Sequence, residues 1–107
     1  MMTKNKYGAR KVTAPDGQKF DSTKEYRRWC ELRLLERAGK IQCLQRQVKF
    51  ELIPKQDGET ACHYVADFVY QQDGRRIVED AKGYKTDVYK LKKKLMLYVH
   101  GIRIQEV

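Results

Sequence analysis

At 107 residues, 41% hydrophobic and 35% charged, the chain fits one globular domain with one modest core, and its composition is that of a globular rather than a disordered protein. A net charge of +9 points to a polyanionic partner, nucleic acid first and anionic membrane second. The sequence holds no run of about 18 apolar residues and no signal-peptide core, so the expectation is a soluble cytoplasmic protein with no membrane partner.

Residues 1–19 read as a basic N-terminal arm carrying Lys4, Lys6, Arg10, Lys11 and Lys19, with a turn at Ala14-Pro15-Asp16-Gly17. Lys6, Arg10 and Lys11 are candidate phosphate contacts. A first helix should start at Ser22, an N-cap with Glu25 three residues on as in a capping box, and stop at Gly39. Tyr26, Trp29, Cys30, Leu32, Leu35 and Ala38 supply its apolar surface.

Residues 47–54 alternate Val48, Phe50 and Leu52 with Lys49 and Glu51, a strand ended by Pro54. A turn at Gln56-Asp57-Gly58 leads to a second strand over 61–70 and a third over 75–82, joined by the hairpin signal Asp73-Gly74. A second helix fits 86–100, with an apolar stripe of Tyr84, Val88, Leu91, Leu95 and Tyr98. Residues 102–107 make a last strand, reached by a strand–helix–strand crossover and therefore parallel to its neighbour. The class is α/β, an αβββαβ order with a mixed four-stranded sheet, in a single domain over 1–107.

Asp67, Asp80 and Lys82 carry the chemistry. Asp67 interrupts the apolar run Tyr64-Val-Ala-Asp67-Phe-Val-Tyr70, where an acid is costly unless paired, solvated or metal-bound. Asp80 and Lys82, two apart on the third strand, point to one face with Cα atoms roughly 7 Å apart. If the hairpin pairs through Asp73-Gly74, Asp67 lies beside them. Two carboxylates and an ammonium make a Mg²⁺ (or Mn²⁺) site suited to phosphodiester cleavage. The competing reading is a sheet face with ordinary ion pairs. Glu79 should face away from Asp80, unless a bulge exchanges them. Glu25 is either the capping partner of Ser22 or a third acid leaning over the sheet towards the metal, a further candidate ligand, and the two roles are compatible. Gln47 lies at the site edge.

Lys90, Lys93 and Lys94 share one flank of the second helix and, with Lys85 and Lys92, suggest a ridge contacting DNA phosphates without reading sequence. Tyr89 and Lys92 flank the stripe close to the scissile strand. Three cysteines, Cys30, Cys43 and Cys62, without a Cys-x-x-Cys, argue for reduced thiols in or near the core; Cys62-His63 supplies two zinc ligands at most. His63 and His100 are poor catalytic candidates.

The segments Asn5-Lys-Tyr-Gly-Ala-Arg-Lys11, Phe20-Asp-Ser-x-x-Glu25, Tyr64 to Tyr70, Val78-Glu-Asp-Ala-Lys-Gly83 and Tyr89-Lys-Leu-Lys-Lys-Lys-Leu95 together resemble a family of small phage and prophage proteins, catalogued as a domain of unknown function within the PD-(D/E)XK nuclease superfamily. The resemblance implies a restriction-endonuclease-like core, Asp67 and Asp80 as metal ligands, Lys82 as the catalytic lysine and Glu25 as the acid of the first helix. It departs at Ala66, where proline is usual before the aspartate, and at Asp80, where glutamate is usual. It implies a phage-type DNA endonuclease in a bacterial host cell, Holliday-junction-resolvase-like in preferring branched DNA. A homodimer suits an enzyme that cuts two strands, and a phage or host recombination protein is a further expected partner. The alternatives are a non-catalytic nucleic-acid-binding module on the same fold, or an interaction protein acting on a host nuclease or recombinase.

Overall fold

The computed structural model describes residues 10–107; Lys6 lies outside the described residues. A small antiparallel hairpin, β1 (Val12–Thr13) and β2 (Lys19–Phe20), precedes helix α1 (Thr23–Arg37). The part of the arm that is described is therefore ordered around the turn expected at 14–17, where Gly17 takes a positive φ. Ser22 caps α1, its Oγ accepting from the Glu25 amide at 3.1 Å, as a capping box requires.

The main sheet runs β3 (Gln42–Ile53), β4 (Cys62–Gln72), β5 (Arg75–Asp80) and β6 (Gln105–Glu106), in that spatial order. The first three strands form an antiparallel meander; β6 is parallel to β5 after the crossover through helix α2 (Asp87–His100). Asp73 and Gly74 both take positive φ, which a tight hairpin turn demands, and they set the register that pairs Phe68 with Glu79. Strand β3 starts five residues earlier than the apolar alternation suggests, because its first half is polar. The final strand shrinks from six residues to two, with only Ile104 of its apolar pair fully buried.

Each sheet face carries a helix. On the α2 side Phe50, Tyr64, Ala66, Val69 and Val78 pack with Tyr89, Met96 and Ile104. On the α1 side Phe68, Tyr70 and Ala81 pack with Leu32 and Ile41, and Trp29 stacks on Phe68 at 6.1 Å. Truncating Phe68, fully buried between helix and sheet, would cost about 3–5 kcal/mol.

Two expected burials are corrected. On α2 the residues turned inward are Tyr89 and Met96, while Val88, Leu91 and Tyr98 are exposed. The helix has apolar residues on two faces, and Tyr89 decides between them: its ring packs near Tyr64 and its hydroxyl donates to Glu106 at 2.8 Å. On α1 only Glu25 and Leu32 are buried, with Leu35 and Ala38 exposed. Cys30 and Cys43 are likewise exposed, and Cys62 half-buried.

Candidate active site

The site begins with a break in strand alternation. In β4, Tyr64 and Ala66 face α2, yet Phe68 and Tyr70, on the same parity, face α1. In β3, Val48 and Phe50 face α2, while Leu44 faces α1 and Arg46 reaches Glu25 of α1. Both pleats reverse at one rung. The pairs Val48↔Ala66 and Arg46↔Phe68 place Gln47 opposite Asp67, and Gln47 has φ 53°. A non-glycine residue in the left-handed region costs of order 1–3 kcal/mol, and such strain collects at functional sites. The reversal sets Asp67 where the strands change face, so its carboxylate serves neither core. Its Oδ2 accepts from the Ala81 amide at 2.8 Å, and Gln47 Nε2 stands 3.5 Å from its Oδ1.

Asp67 opens into a cleft of about 320 Å³ lined also by Lys11, Asp21, Ser22, Glu25, Ala81, Lys82, Gly83, Tyr84 and Thr86. Hairpin, α1, β4 and the β5–α2 loop all contribute. Arg46 holds this wall together. Its guanidinium lies 3.7 Å from the Phe20 ring centre and donates to Gln18 Oε1 at 3.1 Å, the Lys19 carbonyl at 2.9 Å and Glu25 Oε1 at 3.2 Å.

Burial pushes the Glu25 carboxyl up to about 7, the negative charge of Asp67 adds to this, and the Arg46 hydrogen bond opposes it. The Glu25 amide closes the Ser22 cap, while its carboxyl accepts from Arg46 and lines the cleft.

Asp80 is buried on the α2 side of β5. Tyr64 Oη donates to its Oδ2 at 2.6 Å; its Oδ1 has no hydrogen-bond partner among the described residues, with Lys82 Nζ 3.7 Å away. Burial raises the Asp80 carboxyl above the usual range; Tyr64 pulls it down, Asp67 pushes it up and Lys82 pulls it down. Burial and the Asp80 carboxylate push the Tyr64 hydroxyl up strongly, so it remains a donor. Lys82 lies past the end of β5 and still meets Asp80, its ammonium 5.4 Å from the Tyr89 ring centre. Asp67 and Asp80 are therefore within reach of each other's charge, one facing the cleft and the other buried behind Lys82.

Glu79 points the other way. Arg28 Nε and Nη2 donate to its two oxygens at 2.8 and 2.7 Å, and Tyr70 Oη donates to it as well. No bulge interrupts the β4–β5 register, so Asp80 rather than Glu79 shares a face with Lys82.

The lysines divide. Lys11 and Lys82 line the cleft. Arg10, Lys90 and Lys94 are exposed and Lys92 is half-buried. Lys93 does not join an open ridge: it pairs with Glu106 at 3.1 Å, and Lys85 lies 3.9 Å from the same carboxylate. His100 Nε2 is 2.6 Å from the Glu51 carbonyl, a structural contact at the end of α2.

Arg46, Tyr64 and Asp21 escape a reading based on charge patterns alone. Asp21 sits inside the segment Phe20-Asp-Ser-x-x-Glu25, so its signal was present. Tyr64 shares strand β4 with Asp67, but its role depends on the β4–β5 register. Arg46 looks like any polar residue of an alternating strand.

Among the described residues no three His, Cys, Asp or Glu side chains gather closely enough to hold a metal ion between them. Mg²⁺ does not require three, since it keeps several waters and commonly takes one or two carboxylates. The residues fit a hard cation on one further observation: Asp80 leaves a buried oxygen without a hydrogen bond. No helix among the described residues is long and apolar enough to cross a membrane.

No curated protein and no solved structure matches the chain. A family model does, over residues 4–104, and so covers the hairpin, both helices and every residue of the cleft. The chain belongs to the family described as Protein of unknown function (DUF1064).

Proposed function

We propose that this protein is a metal-dependent DNA endonuclease with a restriction-endonuclease-like, PD-(D/E)XK core. The observation that carries the reading is the buried Oδ1 of Asp80, which accepts no hydrogen bond and has Lys82 Nζ at 3.7 Å, within reach of the charge of Asp67. A protein that only binds phosphates gains nothing from acids set against them, and leaving a buried carboxylate oxygen unsatisfied costs about 1–3 kcal/mol or more.

Asp67 and Asp80 would hold Mg²⁺ or Mn²⁺. Bound there, the ion would supply charge neutralisation at the scissile phosphate and a nucleophile at neutral pH. Lys82, tethered beside Asp80, sets fixed positive charge where negative charge grows in the transition state. Glu25, with its carboxyl near 7, is matched to take a proton from attacking water at neutral pH. Lys11 across the cleft is placed to receive a flanking phosphate. Branched DNA, the substrate expected from the resemblance to junction resolvases, is the first to try.

The test is cleavage of labelled junction, fork, single-stranded and duplex DNA with Mg²⁺ or Mn²⁺. Asp80→Asn and Lys82→Ala should each lower the rate at least about 100-fold, with DNA binding retained. If the wild type cuts and both variants cut equally well, the site is wrong. If no form cuts DNA or RNA with any divalent metal, the binding-module reading replaces this one.

A further inference from the structure

Two cavities adjoin at the start of α1. The first is the cleft of Asp67, whose wall includes Ser22 and Glu25. The second, of about 330 Å³, is lined by Thr23, Lys24, Arg27, Arg28, Glu31 and Val107. Ser22 and Thr23 are consecutive, with Cα atoms about 3.8 Å apart, so a chain leaving one cavity passes directly into the other. Lys24, Arg27, Arg28 and Glu31 fall at i, i+3, i+4 and i+7, one stripe along the flank of the helix rather than at its end. The helix thus turns the Glu25 carboxylate to one cavity and cations to the other.

These cations are not consumed by neighbours. Arg46, Lys82, Lys85 and Lys93 each stand at ion-pair distance from a carboxylate. Lys24 and Arg27 are exposed, and among the described residues neither has a carboxylate at that distance. Arg28 plays a different part. Glu79 fixes it through Nε and Nη2, which leaves Nη1 on the side of Glu31, 3.9 Å from its Oε2. Arg28 is therefore a donor held rigidly by the sheet, while Lys24 and Arg27 bring uncompensated charge. Among the described residues, three cations face one carboxylate in this wall. A concave surface of that balance suits a phosphodiester backbone.

We propose that this groove carries the backbone of the nucleic-acid strand that enters the cleft, with Lys24 and Arg27 on a phosphate adjoining the one beside Asp67 and Arg28 donating from Nη1. Such contacts fix the register of the strand without reading its sequence. The inference rests on the nucleic-acid substrate of the proposed function but not on cleavage, because phosphate contacts form without a metal.

Anisotropy titrations of the full chain with labelled single-stranded and duplex DNA, in EDTA and over a range of sodium chloride, test it. Lys24→Ala combined with Arg27→Ala should weaken binding at least about tenfold at about 0.1 M salt and lower the salt slope by about 1.4 to 1.8. Both side chains are exposed, so the melting temperature should not change. Glu31→Gln removes the opposing charge and should tighten binding several-fold. Lys40→Ala combined with Lys55→Ala removes the same net charge from exposed positions outside both cavities, and should leave the slope nearly unchanged. Equal losses in the two double variants would reduce the effect to net charge and overturn the proposal. A slope indifferent to Lys24→Ala with Arg27→Ala, or a wild type that binds no DNA, also overturns it. A wild type that binds through the groove yet cuts nothing would sink the nuclease reading and leave this one standing.

Discussion

Glu79 and Asp80 are neighbours in sequence, equally buried, and opposite in character. Glu79 is 0% exposed and Asp80 1%. On the α1 side, Glu79 accepts from Arg28 twice and from Tyr70, so its charge and hydrogen-bonding capacity are met. The contact is strong enough to raise the Arg28 guanidinium above its ordinary value and, after burial, to help push the Tyr70 hydroxyl up to about 12. On the α2 side, Asp80 has one donor from Tyr64, one empty oxygen and a lysine at ion-pair distance. A single strand therefore carries a finished ion pair that ties a helix to a sheet and an unfinished one beside a cleft. On the proposed reading the unfinished one is the metal ligand, because a satisfied carboxylate has nothing left to offer a metal.

The sharpest way to break this comparison is to mutate both acids. Glu79→Ala strands the Arg28 charge against the sheet and should cost about 3 kcal/mol or more, read by urea denaturation. Asp80→Asn removes a charge that burial already disfavours, and should leave stability unchanged or raise it by about 1 kcal/mol. Adding 10 mM Mg²⁺ should raise the melting temperature of the wild type and not of Asp80→Asn. If Asp80→Asn were as destabilising as Glu79→Ala, both acids would be structural and the cleft would lose its claim to a metal.

A smaller effect concerns pH. Folding raises the Glu25 carboxyl from 4.5 to about 7, through burial first and Asp67 second. The folded protein therefore holds this proton more tightly than the unfolded chain does. The resulting stability is fully present below about pH 4.5 and is lost as pH rises through about 7. Asp80, also raised, contributes with the same sign. In EDTA, Glu25→Gln should flatten the stability profile between these limits and make the protein about 1–2 kcal/mol more stable than wild type at pH 8, since solvent in the cleft and Arg46 screen part of the shift. Mg²⁺ should produce a similar flattening by competing with the proton. A profile with the same slope in both proteins would mean that Glu25 titrates normally.

Much of this was legible in the sequence, for physical reasons. Asp73-Gly74 can form only a few turn types, and with that turn fixed the register and the facing of Glu79 and Asp80 follow from the two-residue period of a strand. Ser22, Thr86 and Gly101 mark helix ends through local hydrogen bonds and a positive φ, and all three act as expected. Helix α2 was misread because it carries apolar residues on two faces, and periodicity cannot say which the sheet will take. Tyr89, outside the regular stripe, wins through a partner on β6 that lies 17 residues away. Arg46 was invisible for a similar reason: its value lies in contacts with the hairpin and α1, which exist only after folding. The reversal at Gln47 and Asp67 was hidden because the strand keeps its register while changing its faces.

That reversal yields the smallest expected effect and the finest test. Gln47 sits at φ 53°, where a side chain strains the backbone, and its amide is 3.5 Å from Asp67, too long for a strong hydrogen bond. Gln47→Gly relieves the strain but adds unfolded-state entropy, for a net gain of up to about 1 kcal/mol. Gln47→Ala keeps the strained Cβ and removes the amide. The difference in stability between the two variants, read by urea denaturation, isolates the backbone cost, about 1 kcal/mol in favour of glycine. Their cleavage rates isolate the amide: if it steadies Asp67, both variants lose several-fold in rate and in Mg²⁺ affinity to the same extent. If only the backbone reversal matters, Gln47→Ala should cut like the wild type. A glycine variant clearly less stable than the alanine variant would mean that the left-handed turn costs nothing here, and the strain argument at this rung would fall.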